Sequence, residues 1–303
     1  MIARAWGALA TLYVVWGSTY LGIMLAIRTM PPFLMSSARF VVAGAVLFAV
    51  SPRRGRRLGL REWAAAAVAG AALLTVGNGG ITWAEQRVDS GVAALLVATM
   101  PLWLALFDRL VFGTRLSPAG LAGLVVGLGG VALLVGPGGG GTDLVGGLVC
   151  VAAAAAWAAG SLYSRRAPLP SQPMLASGME MLAGGVLLAV AGLAAGEGGQ
   201  VHLSQVSATS LLALLYLVVV GSIVAFSCFQ WLLHNAPTSI VATYAYVNPV
   251  VAVLLGAAFL GEPLTMRTLI AGAAIVVSVV LIVGRGRVRL PRLRAALPAR
   301  STA

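Results

Sequence analysis

Ten apolar runs, covering roughly residues 6–27, 33–50, 64–84, 90–112, 118–136, 143–164, 174–194, 209–232, 238–260 and 264–284, leave this 303-residue chain few folds to choose from. A helix needs ~20 apolar residues to cross a bilayer core. Within that core the backbone must satisfy its own hydrogen bonds, which selects helices or closed barrels. The runs are too long and too continuous for barrel strands. Only 9% of the residues are charged, against about 25% in soluble domains. The reading is an all-α integral membrane protein with ten transmembrane helices. The first run follows Arg4 like a signal peptide, but it is longer, contains Trp6, Tyr13 and Trp16, and lacks a small-residue cleavage site. It is expected to stay as the first helix.

Net charge is +12, all of the basic residues being arginine. On a soluble protein that would suggest nucleic acid; here the arginines cluster between the spans, where they set topology. Arg4, Arg53, Arg54, Arg56, Arg57, Arg61, Arg109, Arg115, Arg165, Arg166 and a tail from Arg285 to Arg300 fall on one side, and only Arg28, Arg87 and Arg267 on the other. The bias predicts both termini in the cytoplasm, with residues 285–303 forming an Arg-rich cytoplasmic tail; the absence of lysine in a chain rich in Ala and Gly points to a bacterial source, hence a multi-pass location in a bacterial inner membrane. The bilayer and a small-molecule solute are the expected partners, with no nucleic acid. Cys150 and Cys228 lie inside apolar runs, and no disulfide framework follows from them. His202 and His234 have no carboxylate or cysteine near them in sequence. No metal spacing, phosphate-cradling loop or nucleophile elbow is present. No catalytic residue, metal or cofactor is expected, and the chain is read as a non-enzyme.

The stretch GPGGGGTD, residues 136–143, breaks the chain near its middle. Trp16 and Pro32 stand 141 positions before Trp157 and Pro173; Trp83 and Pro101 stand 148 before Trp231 and Pro249. At that second offset Gly113, Leu116 and Gly136 meet Gly261, Leu264 and Gly284. Each half, 6–136 and 143–284, is therefore read as five helices. Since five is odd, the second half enters the membrane inverted. Inverted repeats about an in-plane pseudo-two-fold are a transporter architecture, with substrate near the midplane.

The motifs sharpen this. WGSTYLGI in the first run, Pro32 to Phe40 with its Arg39-Phe40 pair, and ATMPLWLALFDRLVFGTRLS resemble the first half of an EamA-type member of the drug/metabolite transporter superfamily. YAYVNPVVAVLLGAAFLGEPLT resembles its second-half counterpart. The resemblance spans nearly all of residues 6–284. It implies export of small metabolites or drugs by ten helices in inverted five-helix repeats. One departure is that Gly261-Glu262 is matched by Gly113-Thr114 in the first half.

Polar residues inside the spans are the site candidates, because a charge there costs at least ~2.5 kcal/mol on insertion scales and is kept for a reason. Arg39 lies seven residues past Pro32 and Glu180 seven past Pro173, so opposite charges take equivalent places. Arg39 is expected to contact an anion or carboxylate, and Glu180 to serve as a coupling or gating site. Tyr13, Trp16 and Tyr20, spaced i, i+3 and i+7, share a helical face. Tyr13 and Trp16, with Tyr244 and Asn248, are the expected substrate contacts. Pro101 and Pro249 interrupt the helical ladder and are candidate gating kinks. Two further readings are an intramembrane enzyme, which needs a nucleophile–base pair or metal ligands, and a carrier of phosphorylated or nucleotide sugars, which needs several cations. Cargo, energy coupling, direction and oligomeric state are not written in the sequence.

Overall fold

A computed structural model describes residues 2–52, 58–113, 118–135, 143–235, 241 and 243–283. The Arg-rich tail, the arginines at 53–57, Arg115, most of the central GPGGGGTD stretch and the side chains of Gln230 and His234 lie outside the described residues. Among those described every regular element is helical. Eight helical runs are long and apolar enough to cross a bilayer, and the shorter apolar helices Tyr244–Leu260 and Met266–Ile282 bring the set to ten.

The first two spans are α1 (Ile2–Ala26) and α2 (Pro32–Val50). The third span is compound: α3 (Leu60–Gly70) widens into a π segment, Ala71–Asn78, before α4 (Gly79–Ala84). The eighth repeats this pattern, with α10 (Ala208–Tyr216), a π segment Leu217–Val224 and α11 (Ala225–Asn235). The fourth span is α5 (Ser90–Val97) and α6 (Met100–Phe112), parted at Ala98 and Thr99. Pro101 thus falls in the first turn of α6, where its missing N–H leaves no gap in the ladder. Between these and the eighth come α7 (Pro118–Val135), α8 (Leu144–Ser164) and α9 (Pro173–Ala194). The chain closes with α12 (Tyr244–Leu255), which holds Pro249 in its interior and runs into a π segment Gly256–Leu260, and α13 (Met266–Val283).

Helix ends follow local chemistry. Asp143 accepts from the Gly146 N–H at 2.7 Å to start α8, and Ser207 accepts from the Ser210 N–H at 3.1 Å to start α10. These are side-chain caps for otherwise orphaned amides. Gly113 and Gly261, matched between the halves, both end their helices in the left-handed region at φ 67° and 70°, where only glycine sits without steric cost.

The largest interface joins α2 to α9, followed by α7 against α13. Small residues make the first possible. A Cβ on Gly44 would stand 2.8 Å from the Leu182 nitrogen and 3.0 Å from the Gly178 oxygen, so here the two backbones touch. α1 lies against α12 and the eighth span, while α8 lies against the third and fourth. Large apolar side chains such as Val42, Val46, Leu121, Val125 and Leu212 face outward, as a lipid-facing surface requires.

Candidate functional site

Arg39 sits on the inward face of α2, one turn along from Met35 and Ser36, and is only 5% exposed. Its Nε donates to Ser222 Oγ at 2.9 Å, a hydroxyl carried by the π segment of the eighth span. Its Nη1 is buried and has no partner. Next to Ser222 the Gly221 carbonyl accepts from Trp16 Nε1 at 3.3 Å. A wider π turn aims backbone and side chain differently from an α turn and is common at functional positions. Here it brings a carbonyl to α1 and a hydroxyl to α2 from adjacent residues.

The aromatic face of α1 meets the ninth span. Trp16 lies edge-on to Tyr244 with ring centroids 5.0 Å apart, and Phe229 packs 5.2 Å from Trp16. The Tyr13 hydroxyl shares a 2.5 Å hydrogen bond with Thr243 Oγ1. In the amide orientation that satisfies its surroundings, Asn248 donates to the carbonyls of Tyr244 at 3.1 Å and Tyr13 at 3.3 Å. Tyr13, Trp16, Tyr244 and Asn248 thus form one cluster, and Trp16 links it through Gly221 to Arg39. Glu180 stands apart. Half-buried in α9, it accepts from Ser164 Oγ at 2.8 Å and makes no ion pair with Arg39. Pro101 is buried at the head of α6 and Pro249 in α12, neither of them hydrogen-bonded into the Arg39 cluster.

Three glutamates lie at the opposite end of the bundle from the 165–172 loop: Glu85 and Glu197, which the sequence did not single out, and Glu262, which it marked only as a departure between the halves. Glu85, just past α4, is 1% exposed, and neither of its oxygens has a hydrogen-bond partner. It lies within electrostatic reach of Arg39 and Glu262, as well as Tyr20 and Cys150. Glu197 accepts from the amides of Phe33 at 3.1 Å and Leu34 at 2.8 Å, at the start of α2. Glu262 accepts from Ser90 at 2.7 Å and Gly91 at 3.0 Å, at the start of α5. Each of these two takes orphan donors where the helix dipole favours an anion. In the loop before α5, burial and the nearby Glu262 raise the Asp89 carboxyl above its ordinary value. Two residues beyond Glu85, Arg87 stacks 3.8 Å over the Trp83 ring. No group of three or more metal-ligating side chains occurs among the described residues.

Residues 5–136 and 144–284 each match the EamA-like transporter family. The chain is 41% identical over 279 residues to the uncharacterized inner membrane transporter YedA of Escherichia coli (strain K12), covering 91% of this chain and 89% of YedA. It is 27% identical to a probable amino-acid metabolite efflux pump of the same organism, over 87% of this chain and 90% of the pump. A solved structure 25% identical in sequence aligns with a TM-score of 0.61, over 92% of this chain and 96% of that one. A multi-pass helical chain with these relatives belongs to the EamA-like transporter family.

Proposed function

We propose that the protein exports small metabolites, amino acids or similar solutes among them, by alternating access between two inverted five-helix halves. The observation that carries this is Arg39: a buried guanidinium, fixed through Nε to Ser222, whose Nη1 donors point at no protein acceptor. Buried donors in a membrane are otherwise satisfied, so a donor held open is suited to a solute carboxylate. The aromatic cluster of Tyr13, Trp16 and Tyr244 supplies an apolar wall beside it, and Asn248 fixes the backbone behind that wall.

The inverted arrangement is supported by the matched pairs α2–α9 and α7–α13, by the π segments in the third and eighth spans, and by the shared left-handed ends at Gly113 and Gly261. The arginine bias supports cytoplasmic termini, and a reporter fused after Ala303 that is active only outside the cell would refute that orientation. In this reading Glu180 is a coupling or gating site near the inner surface, and Pro101 and Pro249 are the bending points of the fourth and ninth spans. A carrier of phosphorylated sugars is disfavoured, because Arg39 is the one buried arginine among the described residues.

Flux of labelled amino acids in proteoliposomes tests the reading. Arg39→Ala should abolish transport of carboxylate-bearing solutes while the protein stays in the membrane. Arg39→Lys should rescue poorly, since an ammonium lacks the planar fork. A folded Arg39→Ala protein with parental flux of every solute overturns the assignment. Loss of pH-dependent flux in Glu180→Gln would support its coupling role, and unchanged pH dependence would exclude it.

A further inference from the structure

We propose that Arg39 and Glu85 are the two poles of one binding site for a zwitterion, an α-amino acid or close analogue, with the solute carboxylate on the guanidinium and its ammonium on the glutamate. This rests on the transport reading above and names the chemistry of its cargo.

The placement follows from two helices that run antiparallel. Ser36 Oγ of α2 donates to Thr82 Oγ1 of α4 at 3.1 Å, and Thr82 in turn donates to the Asn78 carbonyl at 2.9 Å. Arg39 lies three residues from Ser36 in one direction along the bundle. Glu85 lies three residues from Thr82 in the other. The two backbone positions are therefore roughly 9 Å apart in depth at 1.5 Å per residue. Side chains on a helix lean toward its N-terminus. Because the helices are antiparallel, Arg39 leans toward the level of Glu85 and Glu85 toward the level of Arg39. They nevertheless close no ion pair, and each keeps buried capacity unused: Nη1 of Arg39, both oxygens of Glu85. Asn78, on the same face as Thr82 and Glu85 and level with Arg39, also has a buried Oδ1 without a partner.

Within electrostatic reach of Glu85 are Arg39 from α2, Tyr20 from α1, Cys150 from α8 and Glu262 from the end of the ninth span. Arg39 is the one cation among them. A lone anion would answer Arg39 and leave Glu85 buried without a partner; a lone cation would do the reverse. Leaving one charge of such a pair uncompensated is what makes buried ions expensive. A zwitterion answers both and brings no net charge into the bilayer.

The test uses the full chain in proteoliposomes with labelled leucine, N-acetyl-leucine, which lacks the ammonium, and leucinamide, which lacks the carboxylate. The parent should carry leucine at least about a hundredfold faster than either analogue, as expected where a site's buried polar groups lose their partner. Glu85→Gln should lose leucine transport and narrow the gap between leucine and N-acetyl-leucine to within about tenfold. Arg39→Gln should do the same for leucinamide. Quenching of tryptophan fluorescence by leucine in detergent-purified parent and variants provides a binding readout if a variant inserts poorly. Parental leucine transport by Glu85→Gln, or equal transport of leucine and N-acetyl-leucine by the parent, overturns the two-pole site while leaving a transporter. A parent that carries no solute of any class overturns both readings.

Discussion

Ser90 donates its backbone N–H to Oε1 of Glu262 at 2.7 Å, so a residue that ends the ninth span holds the start of the fourth. The second oxygen takes the amide of Gly91, which makes the contact a two-point clamp between the halves. Glu262→Ala should lower the unfolding free energy by about 1.5–3 kcal/mol, the usual worth of a hydrogen bond to a charged group. Glu262→Gln keeps one acceptor and should lose less. Denaturation of the purified protein in detergent reads both; equal stability of parent and alanine variant would remove the clamp from the account.

Ser222 is a positioning residue, since its hydroxyl holds the Nε of Arg39. Ser222→Ala should raise KM for carboxylate-bearing solutes about tenfold, corresponding to roughly 1.4 kcal/mol, with a smaller effect on maximal rate. Ser222→Thr, which retains the hydroxyl, should restore much of the loss. A variant whose KM is unchanged would show that Arg39 orients without it.

The α2–α9 crossing has no room for a side chain at Gly44. Gly44→Leu should destabilise the fold by about 1–3 kcal/mol or more through overpacking, and the same change at the unobstructed Gly129 should be close to neutral. Thermal unfolding in detergent distinguishes them, and comparable midpoints would contradict the backbone contact.

Asp89 should give stability a pH dependence. Its folded-state carboxyl is raised above 3.8, first by burial and then by Glu262. A raised carboxyl favours the folded state while protonated, so its contribution is full below 3.8 and fades as the pH rises through the higher folded value. Asp89→Asn should therefore match the parent at low pH and exceed its unfolding midpoint above that window. The opposite ordering would refute the placement of Asp89 beside Glu262.

The ten spans were legible because composition and run length decide membrane crossing almost alone, and the inward aim of Arg39 followed from the energetic penalty of exposing it to lipid. The clustering of Tyr13 with Trp16 was visible in their spacing on one helix face. Tyr244 and Asn248 were grouped with them by residue type and depth, but the particular contacts, such as the hydrogen bond between Tyr13 and Thr243 more than two hundred positions apart, were not visible. Glu85 and Glu197 were hidden for a different reason, and so was the role of Glu262, which the sequence marked only as a departure between the halves. They sit at or beyond span ends, where a carboxylate reads as solvated, and only the fold shows which amides or cations lie opposite. The π segments left no trace either, because a one-residue change in hydrogen-bond register needs no special composition.

Arg39 stands between two fixtures of its own helix. Upstream, Glu197 fastens the amides of Phe33 and Leu34; downstream, Gly44 is wedged against the backbone of α9. Glu85 lies beyond the π segment Ala71–Asn78 of the same half, buried and three residues from Thr82, which Ser36 of α2 holds at 3.1 Å. In mechanical terms α2 is riveted at two points to residues of the other half, so the depth of the guanidinium it carries is set by both halves at once and not by its own repeat alone.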